Sequence, residues 1–178
     1  MRPKLSWLVF LSAVIAVLPA KYAEKAWATS ASGFTSETLA LGRFDEIEVL
    51  SQFMPPQLTA DLQKSTVWLS LQKNKGSSDV YVQSNTWEPG GSTGWHSHPG
   101  QSLIMVTHGT ITDYMGDDSD CTPHVYRQGM GFVDAGGNHV HILRNESSSD
   151  TAGTIAIQLV PKGSNRRIDV ASPGNCAF

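Results

Sequence analysis

Residues 90–100 read Gly90-Gly91-Ser92-Thr93-Gly94-Trp95-His96-Ser97-His98-Pro99-Gly100. Glycines and a proline bound the run, and such residues punctuate turns. Between them stands one H-x-H pair. In a strand, side chains at i and i+2 share a face, with α-carbons roughly 6–7 Å apart. Two imidazoles so placed can converge on one ion at about 2.0–2.1 Å from each nitrogen. A single pair is common by chance. A second pair, His139/His141, follows in another candidate strand. The four histidines are therefore candidate ligands of one divalent transition metal, and imidazole suits iron, copper, nickel or zinc. His108 and His124 stand beside Gly109 and Pro123 and read as solvated.

Outward from this stretch, short apolar or alternating runs are separated by turn residues. They predict strands over 38–41, 46–50, 66–72, 79–87, 102–107, 110–115, 131–134, 140–144 and 154–160. The fourth alternates at Val80, Val82, Ser84 and Thr86, the period of a half-buried strand. Turn signals fill the gaps at Pro89-Gly90-Gly91, Pro99-Gly100, Gly116-Asp117-Asp118 and Gly136-Gly137-Asn138. Only Pro56–Lys64 reads as a helix, and a short one. No internal repeat or coiled coil is present. Many short strands at close spacing predict an all-β sandwich or closed barrel. A barrel of about eight strands leaves room for one small ligand or metal site.

The chain has 178 residues, which fits one domain. Arg2 and Lys4 followed by the mostly apolar run Leu5–Leu18 predict a signal peptide over 1–28, cut after Ala26-Trp27-Ala28. The run is short for a membrane span, so no membrane is expected as partner after cleavage. Residues 29–36 are small and polar and predict a flexible leader, with the barrel domain over 37–178. The net charge is −3, and residues 1–28 carry +3 of it, which leaves −6 on the remainder. An acidic body argues against nucleic acid as a partner. Cys121 and Cys176 predict a disulfide in an exported chain. Asn145-Glu146-Ser147 matches the N-glycosylation tripeptide, while Asn145 also reads as a structural amide bonding nearby backbone. Asp117, Asp118 and Asp120 lack the full calcium-loop pattern and read as a solvated turn. Trp87, Trp95, Tyr114 and Met105 read as barrel packing, the two tryptophans alternatively as a pocket rim.

The segment Gly90–Gly109 resembles the first motif of the cupin family: G, five residues, H-x-H, three or four residues, Glu, six residues, G. Gly90, His96, His98 and Gly109 stand at that spacing. Gly129, Gly137, His141 and Asn145 are similar to the second motif, with one residue inserted before His141 and Ala135 where proline is usual. The resemblance implies a single conical β-barrel, a double-stranded β-helix or jelly roll, with one iron, manganese, copper, nickel or zinc ion near its centre. It selects His141 as third ligand through the H-x3-N spacing. His139 either shares the site or lies outside it, in the turn after Gly137.

One departure stands out: Ser102 occupies the position of the motif's glutamate, with Gln101 beside it. Serine is a poor ligand for a divalent metal, so the implied set shrinks to three histidines. Thiol dioxygenases and diketone-cleaving enzymes among the cupins are similar in using three-histidine iron. The motifs hold no general base, which points to metal-centred oxygenation or water activation on a small-molecule substrate. A non-catalytic module for a sugar or metabolite is the competing expectation, and a structural oligomer the third. Cupins commonly pair through barrel faces, so the resemblance allows a homodimer.

Overall fold

The computed structural model describes residues 28–53, 68–137 and 139–178. The expected signal peptide and the expected helix at 56–64 lie outside the described residues, save Ala28. The order is β1 (Ser32–Phe44), β2 (Ile47–Phe53), β3 (Trp68–Asn74), β4 (Ser78–Ser92), β5 (His96–Ser97) and β6 (Ser102–His108). It continues with β7 (Thr110–Met115), β8 (His124–Arg127), β9 (Gly131–Asp134), β10 (His141–Arg144), β11 (Ala152–Pro161) and β12 (Ile168–Asp169).

Pairing is antiparallel throughout and forms two layers. One runs β1-β4-β11-β6-β9 and the other β12-β5-β10-β7-β8. They join where Arg144 of β10 meets Ser92 of β4. Apart from the consecutive pair β7–β8, neighbours in a layer are not consecutive in sequence, as in a double-stranded β-helix. β2 and β3 form a separate hairpin beside the barrel. All nine predicted strands are present. β5, β8 and β12 were not read, because two to four residues carry too little periodicity.

The predicted leader at 29–36 is ordered instead. Thr29 donates its backbone N–H to the Val170 carbonyl, and its hydroxyl accepts from the Trp95 N–H at 2.6 Å. β1 begins at Ser32 and pairs along β4, with Phe34 opposite Trp87. Small polar residues resembled a linker, but the uncovered edge of β4 supplies them with ladder bonds.

The barrel interior has an apolar and a polar end. Trp87, Ile104, Val106, Ile111, Phe132, Leu143, Ala152 and Ala156 form the apolar end. Gln83, Asn85, Ser102, Thr154 and Gln158 are also buried. On β4 the enclosed face is thus Gln83, Asn85 and Trp87, while Val82, Ser84 and Thr86 are less enclosed. The face that alternation made apolar points outward. Trp95 fills a second cluster with Ile142 and Cys176. The predicted disulfide joins Cys121 to Cys176, with α-carbons 5.3 Å apart. It suggests a non-cytoplasmic location.

Candidate metal centre

His96 opens β5 and His141 opens β10, and the two are direct partners in the antiparallel ladder. That register brings their ring centroids to 4.6 Å. His98, two residues on, lies 4.8 Å from the His96 ring and 5.8 Å from the His141 ring. One ring nitrogen from each lies within 4.8 Å of the others, and all three residues are buried.

Each ring is fixed through Nδ1. His96 Nδ1 lies 2.9 Å from the Gly94 carbonyl and His98 Nδ1 lies 2.7 Å from the Arg166 carbonyl. Carbonyls only accept, so these nitrogens carry the hydrogens and leave lone pairs on Nε2. His141 Nδ1 lies 3.2 Å from Asp113 Oδ1, whose side chain is fully enclosed. A carboxylate behind a histidine is the usual support of a metal-ligating imidazole.

The same surroundings set the proton affinities. Burial foremost, then the His141 and Arg167 charges, hold His96 well below its ordinary value. Burial lowers His98 to about 4, against the opposing Arg166 carbonyl and Asp134. Burial also disfavours charge on His141, but the hydrogen bond and charge of Asp113 outweigh it and raise this ring. His96 and His98 are thus neutral and ready to ligate at neutral pH. His141 Nε2 is buried and has no hydrogen-bond partner. A metal ion fits that orphaned nitrogen and the chemistry of the donor set.

A cavity opens on the three rings. Gln83, Asn85, Ser102 and Gln158 line its polar side, with Arg166 and Arg167 from the segment after β11. Ser102 Oγ and Gln158 Oε1 are buried without partners. Arg167 is engaged with Asp169 and the Thr93 carbonyl, at 2.5 Å each. Arg166 donates to Gln83 Oε1 at 2.6 Å, and no carboxylate pairs with it among the described residues.

His139 does not join the group. β10 starts only at His141, so His139 falls in the preceding turn, exposed, with its N–H toward the Gly136 carbonyl. Strand parity therefore does not extend back to it. Asn145 is 1% exposed and donates to the Glu88 and Asp150 carbonyls, so the glycosylation tripeptide is structurally occupied. Asp118 closes its turn by accepting from Asp120 and Thr122. Trp87 lines the cavity, whereas Met105 faces out rather than packing inside. The polar group least legible in the sequence is Asp134, buried beside His98. Its parity with inward-facing Phe132 was the available signal.

No protein-family model and no curated protein matches the sequence. Among solved structures, the chain is similar to an oxalate oxidase at 22% identity and TM-score 0.43, covering 51% of this chain and 46% of that one. It is similar to a cupin-like protein from Thermotoga maritima at 22% identity and TM-score 0.44, covering 52% and 65%. A double-stranded β-helix protein from Klebsiella pneumoniae is 17% identical at TM-score 0.43, covering 52% and 70%. The chain spans about half the length of the oxalate oxidase it matches. The two antiparallel layers, with His96 paired to His141 across β5 and β10, define a cupin-like barrel with a three-histidine cluster.

Proposed function

We propose that this is an exported, metal-dependent enzyme acting on a small anionic molecule, with His96, His98 and His141 holding one divalent transition ion. The single observation that carries the reading is the cluster itself: three buried rings, each fixed at Nδ1, with the Nε2 of His141 left without a partner. The ion would supply Lewis acidity toward an oxygen- or sulfur-bearing ligand. The chain's own residues do the rest. Asp113 and the Gly94 and Arg166 carbonyls fix the ring orientations. Arg166, charged and without a carboxylate partner among the described residues, supports an anionic group as the recognised feature. Ser102 and Gln158 offer further hydrogen bonds. The apolar end excludes water behind the site. Metal-centred oxygenation or water activation is the favoured reaction class, since no carboxylate lines the cavity among the described residues.

Elemental analysis of the full chain beside the His96→Ala/His98→Ala variant tests the centre. Near-stoichiometric metal in the wild type, lost in the variant, is expected. Oxygen uptake on a panel of small carboxylates and thiols, abolished by His96→Ala, then separates an enzyme from a binding module. No metal in the wild type after reconstitution would sink the metalloenzyme. Exposed Leu103, Met105, Val133 and Ile157 on one barrel face support pairing of two copies, which light scattering would read as a doubled mass.

A further inference from the structure

Strand register gathers polar side chains on one wall of the cavity. Gln158 of β11 stands directly opposite Ser102 of β6. Gln83 of β4 stands opposite Ala156, two residues from Gln158 and on the same face. Gln158 and Ser102 are each 2% exposed, Gln83 is 3% exposed, and all three line the cavity. Cross-strand partners keep their β-carbons about 4.5–5.5 Å apart and diagonal neighbours about 7–8 Å, so one small molecule reaches all of them.

These groups differ in what they still need. Asn85 donates to Thr154 Oγ1 at 3.2 Å, and Gln83 Oε1 accepts from Arg166 at 2.6 Å. Gln158 Oε1 and Ser102 Oγ are buried and unpartnered. An amide oxygen only accepts, so Gln158 calls for a donor, whereas the Ser102 hydroxyl can play either part. The free cation beside them is Arg166. Arg167 is held by Asp169, while no carboxylate pairs with Arg166 among the described residues.

A ligand that meets both demands carries an anion for Arg166 and a hydrogen-bond donor for Gln158. A dicarboxylate fails the second, because it offers Gln158 another acceptor. An ammonium donor fails too: two arginines and no carboxylate line the cavity, so a further positive charge is repelled. A neutral hydroxyl is the smallest donor that remains. The cavity volume, about 50 Å³, takes about four water-sized groups at roughly 10–15 Å³ each, which restricts the ligand to a short chain.

We propose that the cavity binds a short-chain hydroxycarboxylate, its carboxylate on the Arg166 guanidinium and its hydroxyl donating to Gln158 Oε1 beside Ser102. The inference rests on the small-anion reading above and narrows it to one class. Gln158 becomes the residue that sets specificity, because a site built to bond a substrate hydroxyl discriminates against the analogue that lacks one.

Lactate, propionate, alanine and malonate are small carboxylates of similar size that differ in the group at issue. Each is titrated calorimetrically into the full chain loaded with cobalt(II), and again after chelator stripping. Lactate should bind at least tenfold more tightly than the others in both forms. Gln158→Met keeps the length of the side chain and removes its oxygen. It should bring lactate down to the level of propionate and leave propionate unchanged. Arg166→Met should weaken lactate and propionate alike. Propionate, alanine or malonate binding the cobalt-loaded chain as tightly as lactate overturns the assignment and leaves the metal centre standing. A preference for lactate confined to the cobalt-loaded chain puts the hydroxyl on the ion and overturns its contact with Gln158. A chain that takes up no cobalt yet still prefers lactate removes the metal centre and supports this inference. Binding of no probe by either form overturns it. Should Gln158→Met lack the wild-type circular dichroism, the two wild-type series decide alone.

Discussion

At the scale of the residue, the centre depends on groups that no spacing motif names. His96, His98 and His141 are legible as a pattern, because H-x-H and H-x3-N are short and local. Asp113 is not. It reaches His141 only because β7 and β10 pair with Met115 opposite His141, a register that local sequence does not encode. Asp113→Asn keeps the shape of the side chain but removes its charge. It should weaken metal binding about 10- to 100-fold, the usual cost of losing such a support. Competition with a colorimetric chelator would measure it, and unchanged affinity would show that the Asp113–His141 pair serves the fold alone. His139, which the sequence left open between the site and the turn before it, illustrates the converse. Its i, i+2 relation to His141 has meaning only where both are in a strand, and β10 does not extend that far.

At the scale of the element, turn residues located the strands well, while the faces were harder to read. Alternation on β4 was visible, but it did not say which phase faces in, and the enclosed phase is Gln83, Asn85 and Trp87. The reason is physical. Binary patterning assumes a dry core, and a barrel that holds a polar cavity inverts that assumption along the strands lining it. The same reasoning failed for β1, whose polar start looked like a leader. Phe34 packs on Trp87 with ring centroids 4.9 Å apart, and it also lines the cavity. Deleting residues 29–36 should therefore cost about 2–3 kcal/mol, the burial of one large aromatic side chain and its contacts. Urea denaturation of the deleted and full chains measures this, and equal midpoints would restore the linker reading.

For the whole molecule, the C-terminal tail is tied back to the segment that follows β7. The disulfide ties Cys176 to the loop after β7, and Asn175 donates to the Met115 and Asp118 carbonyls of the same region. The bridge spans 55 residues of sequence. Restricting a loop of that length in the unfolded chain is worth up to about 4 kcal/mol. Reduction, or Cys121→Ser/Cys176→Ser, should lower the melting temperature by a corresponding margin while leaving cobalt affinity largely intact, because neither cysteine touches the histidines. Loss of metal binding in step with reduction would instead tie the tail to the centre. The signal of an even cysteine pair carried this bridge from sequence, whereas the barrel's closure required the pairing itself.

Arg166 belongs to two circuits at once. Its carbonyl holds the ring of His98, and its guanidinium faces the cavity. A ligand that draws the side chain inward therefore pulls on the same residue that aims a histidine at the centre. One residue thus lines the chamber with its side chain and steadies an imidazole of the cluster with its backbone.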